Sequence, residues 1–225
     1  MVRAIVFDFD GVIANSEPLH FRGYRDVLAE QGVALSEPDY YARYLGFDDV
    51  GAFEAIGRDC GVVWTPAQIA DLVSRKAVRL EELERDVSVL FPGAADAIRR
   101  AAAAMPIAIA SGARGEEIRR VLVRENLLAC FTAIVAAEDT AVSKPAPDPY
   151  LRALTLLTPA CGGVLRAADC VAIEDSHWGL ESARAAGLRT VAVTNTYAAN
   201  QLTADVIISS LEAMDLDRMS RICSD

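Results

Sequence analysis

The chain has 225 residues, is 52% hydrophobic and 24% charged, and carries a formal net charge of −10. That length suffices for one to two domains with a sizeable core, and so apolar a composition excludes a disordered chain. The acidity argues against a general affinity for nucleic acid or anionic membranes, which reward clustered Lys and Arg, and no apolar run reaches the roughly 18–20 residues that span a bilayer.

In chain order, Val2 to Phe9 reads as a short β-rich strand broken by Gly11. Asp8 and Asp10 interrupt its apolar start, so the segment is not read as a signal peptide. Residues 16–31 read as a helix with Ser16 as N-cap, Gly32 as stop, and Leu19, Tyr24, Val27 and Leu28 as its apolar stripe. From Val33 to about Arg85 the pattern is helical with no good strand, and Pro66 suits a first turn. A helix over Ala95 to Ala104 then leads into a strand at 106–110, a helix over Glu116 to Glu125 and a strand from Phe131 to Ala136. A helix over 148–157 precedes a strand from Cys170 to Ile173, a helix containing Ser182 to Ala186 that Gly187 ends, and strands at Thr190–Val193 and Val206–Ile208.

Short, continuously apolar strands that alternate with helices are buried parallel strands. The fold expected is therefore α/β: an open, Rossmann-like parallel sheet with helices on both faces. A helical domain of residues 15–85 is inserted after the first strand, so the core consists of residues 1–14 and 86–225. The five cysteines, Cys60, Cys130, Cys161, Cys170 and Cys223, are odd in number and never spaced as CxxC, which argues against disulfides and zinc and for a reducing, cytoplasmic setting. Two histidines are too few for a His-based metal site.

Ligands of parallel α/β sheets bind beyond the carboxyl ends of the strands. Those ends carry Asp8-Phe9-Asp10-Gly11, Ser111-Gly112, a Ser143-Lys144-Pro145 loop and Glu174-Asp175. Four acids, one hydroxyl and one lysine on one sheet edge fit phosphoryl transfer. Asp8 and Asp10, two apart on an extended backbone, share a side. Clustered carboxylates call for a cation, and Mg²⁺ is the hard ion that takes oxygen ligands. One carboxylate can attack phosphorus, a second can protonate the leaving oxygen and then activate water. Lys144, Ser111 and the backbone N–H groups flanked by Gly11 and Gly112 can stabilise the phosphoryl oxygens. Each motif alone is weak: Glu174-Asp175 could equally begin a solvated helix, capped by Ser176 or Asp175. Their order and their position at successive strand ends make them specific together.

In these motifs the sequence resembles the haloacid dehalogenase superfamily of phosphatases and phosphomutases, over nearly the whole chain. Asp8-Phe9-Asp10-Gly11-Val12 resembles its first motif, Ser111 in Ile109-Ala110-Ser111-Gly112 the second, Lys144 in Ser143-Lys144-Pro145 the third, and Glu174-Asp175-Ser176 with Gly179 the fourth. The resemblance implies Asp8 as nucleophile and Asp10 as general acid/base. It implies Mg²⁺ held by Asp8, Asp175 and the main-chain carbonyl of Asp10, with Glu174 as a ligand or a group behind one. The helical insertion resembles the small cap of the branch containing phosphoglycolate phosphatase and β-phosphoglucomutase. Founding dehalogenases lack an acid two residues after the nucleophile, and a departing halide needs no proton, so Asp10 favours phosphate esters.

The same resemblance makes Ser16, His20 and Lys76 candidate substrate-binding residues of the cap. One departure bears on the reaction. The mutases place an Arg three residues after a Gly to grip a second phosphate, whereas Gly46 is followed here by Phe47-Asp48-Asp49. Acids there repel a distal phosphate; Asp48 and Asp49 could orient substrate hydroxyls or cap the next helix. The expected activity is therefore Mg²⁺-dependent hydrolysis of a small phosphorylated metabolite, phosphoglycolate or a sugar phosphate, through an aspartyl-phosphate, by a monomer or small homo-oligomer. The alternative is a hexose phosphate mutase. A phospho-acceptor signalling module shares the residue types but lacks the helical insertion and has its acidic pair first.

Overall fold

The computed structural model describes residues 1–45, 47–85 and 87–223; Gly46 and the boundary residue Asp86 lie outside the described residues. The chain divides into two compact units, Met1–Asn15 with Val89–Asp225, and Ser16–Ser88.

The larger unit is a six-stranded sheet. Its strands are β1 (Ala4–Phe7), β2 (Ile107–Ala110), β3 (Ala133–Val135), β4 (Cys170–Glu174), β5 (Arg189–Val193) and β6 (Val206–Ile208). They lie in the order β3-β2-β1-β4-β5-β6 with every pair parallel. The order reverses between β1 and β4, and such a switch point opens a crevice at the carboxyl ends of the two strands. Every residue of β1, β2 and β4 is buried, as a sheet covered on both faces requires.

The two faces differ in side-chain size. Ala4, Val6, Ala108, Ala110, Val135, Cys170 and Ala172 pack with Tyr150, Ala153 and Leu157 of one helix and Ala183 and Ala186 from the segment of another. The alternate positions Ile5, Phe7, Ile107, Ile109, Val171 and Ile173 are large and wholly buried, and strand period two sends them to the opposite face. There Phe7 meets Phe131 edge-on at 6.3 Å between ring centroids. The small face lets a helix carrying a full tyrosine lie close to the sheet, which bears on the site below.

The smaller unit is helical, as its pattern predicts. It contains α1 (Glu17–Ala29), the single turn α2 (Glu37–Asp39) running into a π-helical turn at Tyr40–Tyr44, α3 (Asp49–Asp59) and α4 (Pro66–Glu84). Its core is aromatic: Phe21, Tyr24, Tyr40, Tyr44 and Phe53 are buried with Leu28, Ile56 and Leu72. Thr65 and Gln68 form a capping box ahead of Pro66. Asp48 caps α3 by accepting the Gly51 N–H at 2.7 Å. Ser16, expected to cap α1, occupies the N-cap position but its side chain makes no capping bond, and its helical backbone angles (φ −79°, ψ −24°) are not those of a capping residue.

The remaining helices are α5 (Ala94–Ala104), α6 (Gly115–Arg124), α7 (Asp148–Leu157), α8 (His177–Ala185) and α9 (Leu216–Ile222). One boundary near the site differs from expectation, and another is fixed by a cap. Strand β1 ends at Phe7, so Asp8 already lies in the turn. Helix α8 begins at His177 because Ser176 accepts the Gly179 N–H at 3.1 Å. Helix α9 is absent from the sequence reading; it is short and is nucleated by Asp215, which accepts from both Asp217 and Arg218 N–H. No helix among the described residues is long and apolar enough to cross a membrane.

The small face yields a stability test. Ala108→Leu would drive new methyl groups into a close-packed layer and lower unfolding free energy by about 1–3 kcal/mol. Urea denaturation measures this; an unchanged midpoint would show that the α7 face tolerates bulk.

Candidate active site

The switch point brings four elements of the larger unit together. Asp8, buried at the end of β1, donates its backbone N–H to the Ile173 carbonyl of β4 at 2.9 Å. That bond holds the start of the first turn against the strand that ends in Glu174. Asp8, Glu174 and Asp175 offer ligand atoms all within 4.8 Å of one another, the one such group of acids found among the described residues. All three are buried.

Lys144 enters this acidic group from the loop ahead of α7. Its Nζ donates to Asp8 Oδ1 at 2.7 Å and to Glu174 Oε1 at 2.5 Å. The loop is anchored by Ser182 of α8, whose hydroxyl donates to the Ala146 carbonyl at 2.5 Å. Burial alone would strip the Lys144 proton, but the charges of Asp8 and Glu174 and the bonds to them raise its pKa above that of free lysine. It remains an ammonium.

Glu174 has no open acceptor. Oε1 takes Lys144 and the Tyr150 hydroxyl, the latter at 2.7 Å. Oε2 takes the Asp175 N–H at 3.2 Å and the Ser176 hydroxyl at 3.3 Å. A carboxylate has about four acceptor positions, and here four donors meet them. Two glycines make the crowding possible. A Cβ on Gly179 would sit 1.9 Å from the Glu174 carboxyl carbon, and one on Gly11, at φ +76°, would sit 2.0 Å from Asp175 Oδ2. Gly11 is therefore the residue against which Asp175 rests, as well as a candidate substrate contact.

Asp8 and Asp175 are less settled. Burial, followed by the charge of Glu174, pushes the Asp8 pKa well above the ordinary aspartate range, although Lys144 opposes the shift. Burial raises Asp175 to about 6, with a Thr196 hydrogen bond pulling it down and the Glu174 charge pushing it up. Three buried carboxylates against one ammonium leave an excess of negative charge, and all the donors are hard oxygens. The residues present thus fit a divalent cation.

Ser111 follows β2 and is buried; its backbone N–H donates to the Val135 carbonyl at 3.0 Å, and its Oγ accepts the Ala113 N–H at 3.0 Å. Gly112 beside it is exposed, with open space where a Cβ would point. The Asp10 carboxylate is not one of the three clustered acids. The chain leaves the strand after Phe7, and the Asp10 backbone bridges to Ala14 across the turn that holds Gly11.

Ser16, His20 and Lys76 belong to the helical unit. Lys76 is 1% exposed, which excludes a solvated helix lysine. Its Nζ lies 2.7 Å from Asp49 Oδ1, 3.0 Å from His20 Nδ1 and 4.7 Å from the Tyr24 ring centroid. The Tyr24 hydroxyl also donates to Asp49 Oδ1, at 2.6 Å. Burial would raise the Asp49 pKa, but the Lys76 charge and these hydrogen bonds hold it below the usual range. Asp48 is a helix cap, and Asp49 is the counter-ion of Lys76. Arg43, the nearest basic residue before Gly46, is tied to Asp59 at 2.6 Å.

Three residues of the larger unit's site have no place in the sequence reading. Tyr150 is hidden among the apolar positions of α7. Asn195 donates to the Gly11 carbonyl at 2.8 Å, and the Thr196 hydroxyl donates to Asp175 Oδ2. Both follow β5, a fifth strand end that the sheet rule marks for inspection.

Residues 5–193 match the family model of haloacid dehalogenase-like hydrolases. The chain belongs to this hydrolase family. It is 35% identical over 206 residues to protein CbbY of Rhodobacter capsulatus, covering 87% of each chain. Over 215 residues it is 31% identical to hexitol phosphatase B of Escherichia coli K12, covering 93% of each. A crystal structure of a CbbY mutant from Rhodobacter sphaeroides in complex with xylulose-(1,5)-bisphosphate superposes with a TM-score of 0.78 at 27% identity, over 95% of this chain and 96% of that one. The protein is thus an enzyme of the phosphatase branch of the haloacid dehalogenase-like hydrolases.

Cation binding and pH are coupled here. The folded state holds the Asp175 proton up to about pH 6, whereas the unfolded chain releases it near 3.8. Metal-free stability therefore falls as pH rises across that window. A divalent cation held by these acids would replace those protons, so the melting-temperature gain on adding Mg²⁺ or Mn²⁺ should be several degrees at about pH 7.5 and much smaller at about pH 5. Equal gains at both pH values would detach cation binding from these carboxylates.

Proposed function

We propose that this enzyme hydrolyses a phosphate monoester of a small polyhydroxylated metabolite, a sugar or sugar alcohol phosphate, through an aspartyl-phosphate on Asp8. The observation that carries the reading is the group of three buried acids with Lys144 at the β1/β4 switch point.

Asp8 is the nucleophile. Its Oδ2 is the oxygen not bonded to Lys144 and attacks phosphorus as the ester oxygen departs. Asp10 donates a proton to that oxygen and then takes one from the water that cleaves the acyl phosphate, releasing inorganic phosphate and restoring Asp8. Lys144, with Ser111 and the N–H groups around Gly11 and Gly112, holds the phosphoryl oxygens. Asp8, Asp175 and the main-chain carbonyl of Asp10 are the groups that would hold a cation. Glu174, already saturated by four donors, positions Lys144 and the start of α8 instead. When bound, Mg²⁺ offsets charge on the transferring phosphoryl group.

The helical unit acts as the cap and selects the substrate. Its Lys76 is neutralised by Asp49, and acceptors of Asp49 and Glu17 suit hydroxyl groups. A second phosphate or a carboxylate would seek an unpaired cation there. This favours hydrolysis of a monophosphate over the bisphosphate-retaining mutase reaction and over phosphoglycolate.

A panel of sugar, sugar alcohol and carboxylate phosphates, with and without Mg²⁺, tests the reading. Phosphate release should need the metal and fall by roughly 10³-fold or more in Asp8→Asn. Full turnover in that variant, or glucose 6-phosphate formed from glucose 1-phosphate faster than free phosphate, would refute it.

Asp10→Asn separates the acid role from the nucleophile. Turnover should fall by roughly 10²–10⁴-fold for alkyl phosphates and much less for an aryl phosphate whose leaving group needs no proton. A uniform loss across a leaving-group series contradicts the assignment.

A further inference from the structure

The geometry points to Thr196 as a positioning residue for the cation site, acting through Asp175; the inference rests on the metal-dependent reading above. Asp175 is the site carboxylate that Lys144 does not hold. Lys144 holds Asp8 and four donors hold Glu174. Asp175 Oδ2 has the Thr196 hydroxyl as donor and the Gly11 backbone as a wall. A hydroxyl that donates to one carboxylate oxygen sets the rotation of the group about Cβ–Cγ.

The loop that carries Thr196 is itself built for position. Thr194 N–H donates to the Ile208 carbonyl of β6 at 3.1 Å. Asn195 donates to the carbonyl of Gly11, the residue that Asp175 rests against, at 2.8 Å. The Tyr197 ring packs on His177 of α8 at 4.8 Å between centroids. Residues 194–197 thus join β6, the turn after Asp8 and the first turn of α8, and Thr196 lies at the centre of those ties. Groups that orient metal-ligating carboxylates affect metal affinity by about 10–100-fold.

The test compares Thr196→Val, which keeps the shape and removes the donor, with Thr196→Ser, which restores the donor. Mg²⁺ binding to substrate-free protein is read by calorimetric titration and by the Mg²⁺ concentration that gives half of the full thermal shift. Thr196→Val should raise that concentration by about 10-fold or more, and Thr196→Ser should return it to within about 3-fold of wild type. The metal-free melting temperatures should be alike, since a merely structural role would move those instead. Wild-type affinity in Thr196→Val, or equal weakening in both variants, overturns the positioning role while leaving the phosphatase reading in place. Absence of Mg²⁺ binding by the wild type overturns both.

Discussion

Carboxylates leave water at a high free-energy cost unless each finds charge or hydrogen bonds in return, and this chain buries three of them within one small volume. The architecture around them is arranged to offset that cost only partly. Lys144 supplies one positive charge, Tyr150 and Ser176 supply hydroxyls, and the Asp175 N–H supplies a backbone donor. The compensation is uneven. Glu174 is fully satisfied, whereas Asp8 and Asp175 have raised pKa values because burial and a neighbouring charge outweigh what they receive. An acid that is buried, electron-rich and incompletely paired is suited to hold a cation or attack phosphorus. The incomplete pairing thus marks where a cation would offset charge, and the saturated Glu174 is the fixed part beside it.

Features far from the chemistry follow from this constraint. Tyr150 reaches Glu174 only because α7 lies on the sheet face lined with Ala108, Ala110 and Ala172 rather than on the isoleucine face. Gly11 and Gly179 leave the space that Asp175 and Glu174 fill. Ser182 ties the Lys144 loop to α8, whose N-cap is Ser176, itself a donor to Glu174. Core packing and site geometry are one network, so a change in side-chain volume on the alanine face also acts on the charge balance.

Legibility in the sequence divides along physical lines. The strands were readable because buried parallel strands are continuous apolar runs, and the strand-end rule turned each run into a place to look. Asp8, Lys144, Glu174 and Asp175 come from that rule, and the structure brings them together. Glu174-Asp175-Ser176 admitted a second reading as a solvated helix start; Ser176 does cap α8, but the two acids are buried rather than solvated. What pattern could not reveal were contacts made across the fold. Tyr150 has the spacing of a core residue, and its hydroxyl matters only through Glu174. Thr196 and Asn195 look like loop polarity until β5 is set beside β4.

The helical unit solves the same electrostatic problem to the opposite end. Lys76 is buried among apolar core residues there, yet it meets one full counter-charge in Asp49, whose carboxylate also accepts from Tyr24. The pair is neutral, and the Tyr24 face adds a further cation–π contact. A buried lysine held this way has little left to attract a second anion, since any new negative group would have to displace Asp49 from a 2.7 Å bond. Neutral hydroxyls face no such competition, because they can donate to carboxylate oxygens without altering the balance of charge. Charge excess at the sheet edge and charge neutrality in the helical unit are therefore two outcomes of the same cost of burying charge, left open in one unit and closed in the other.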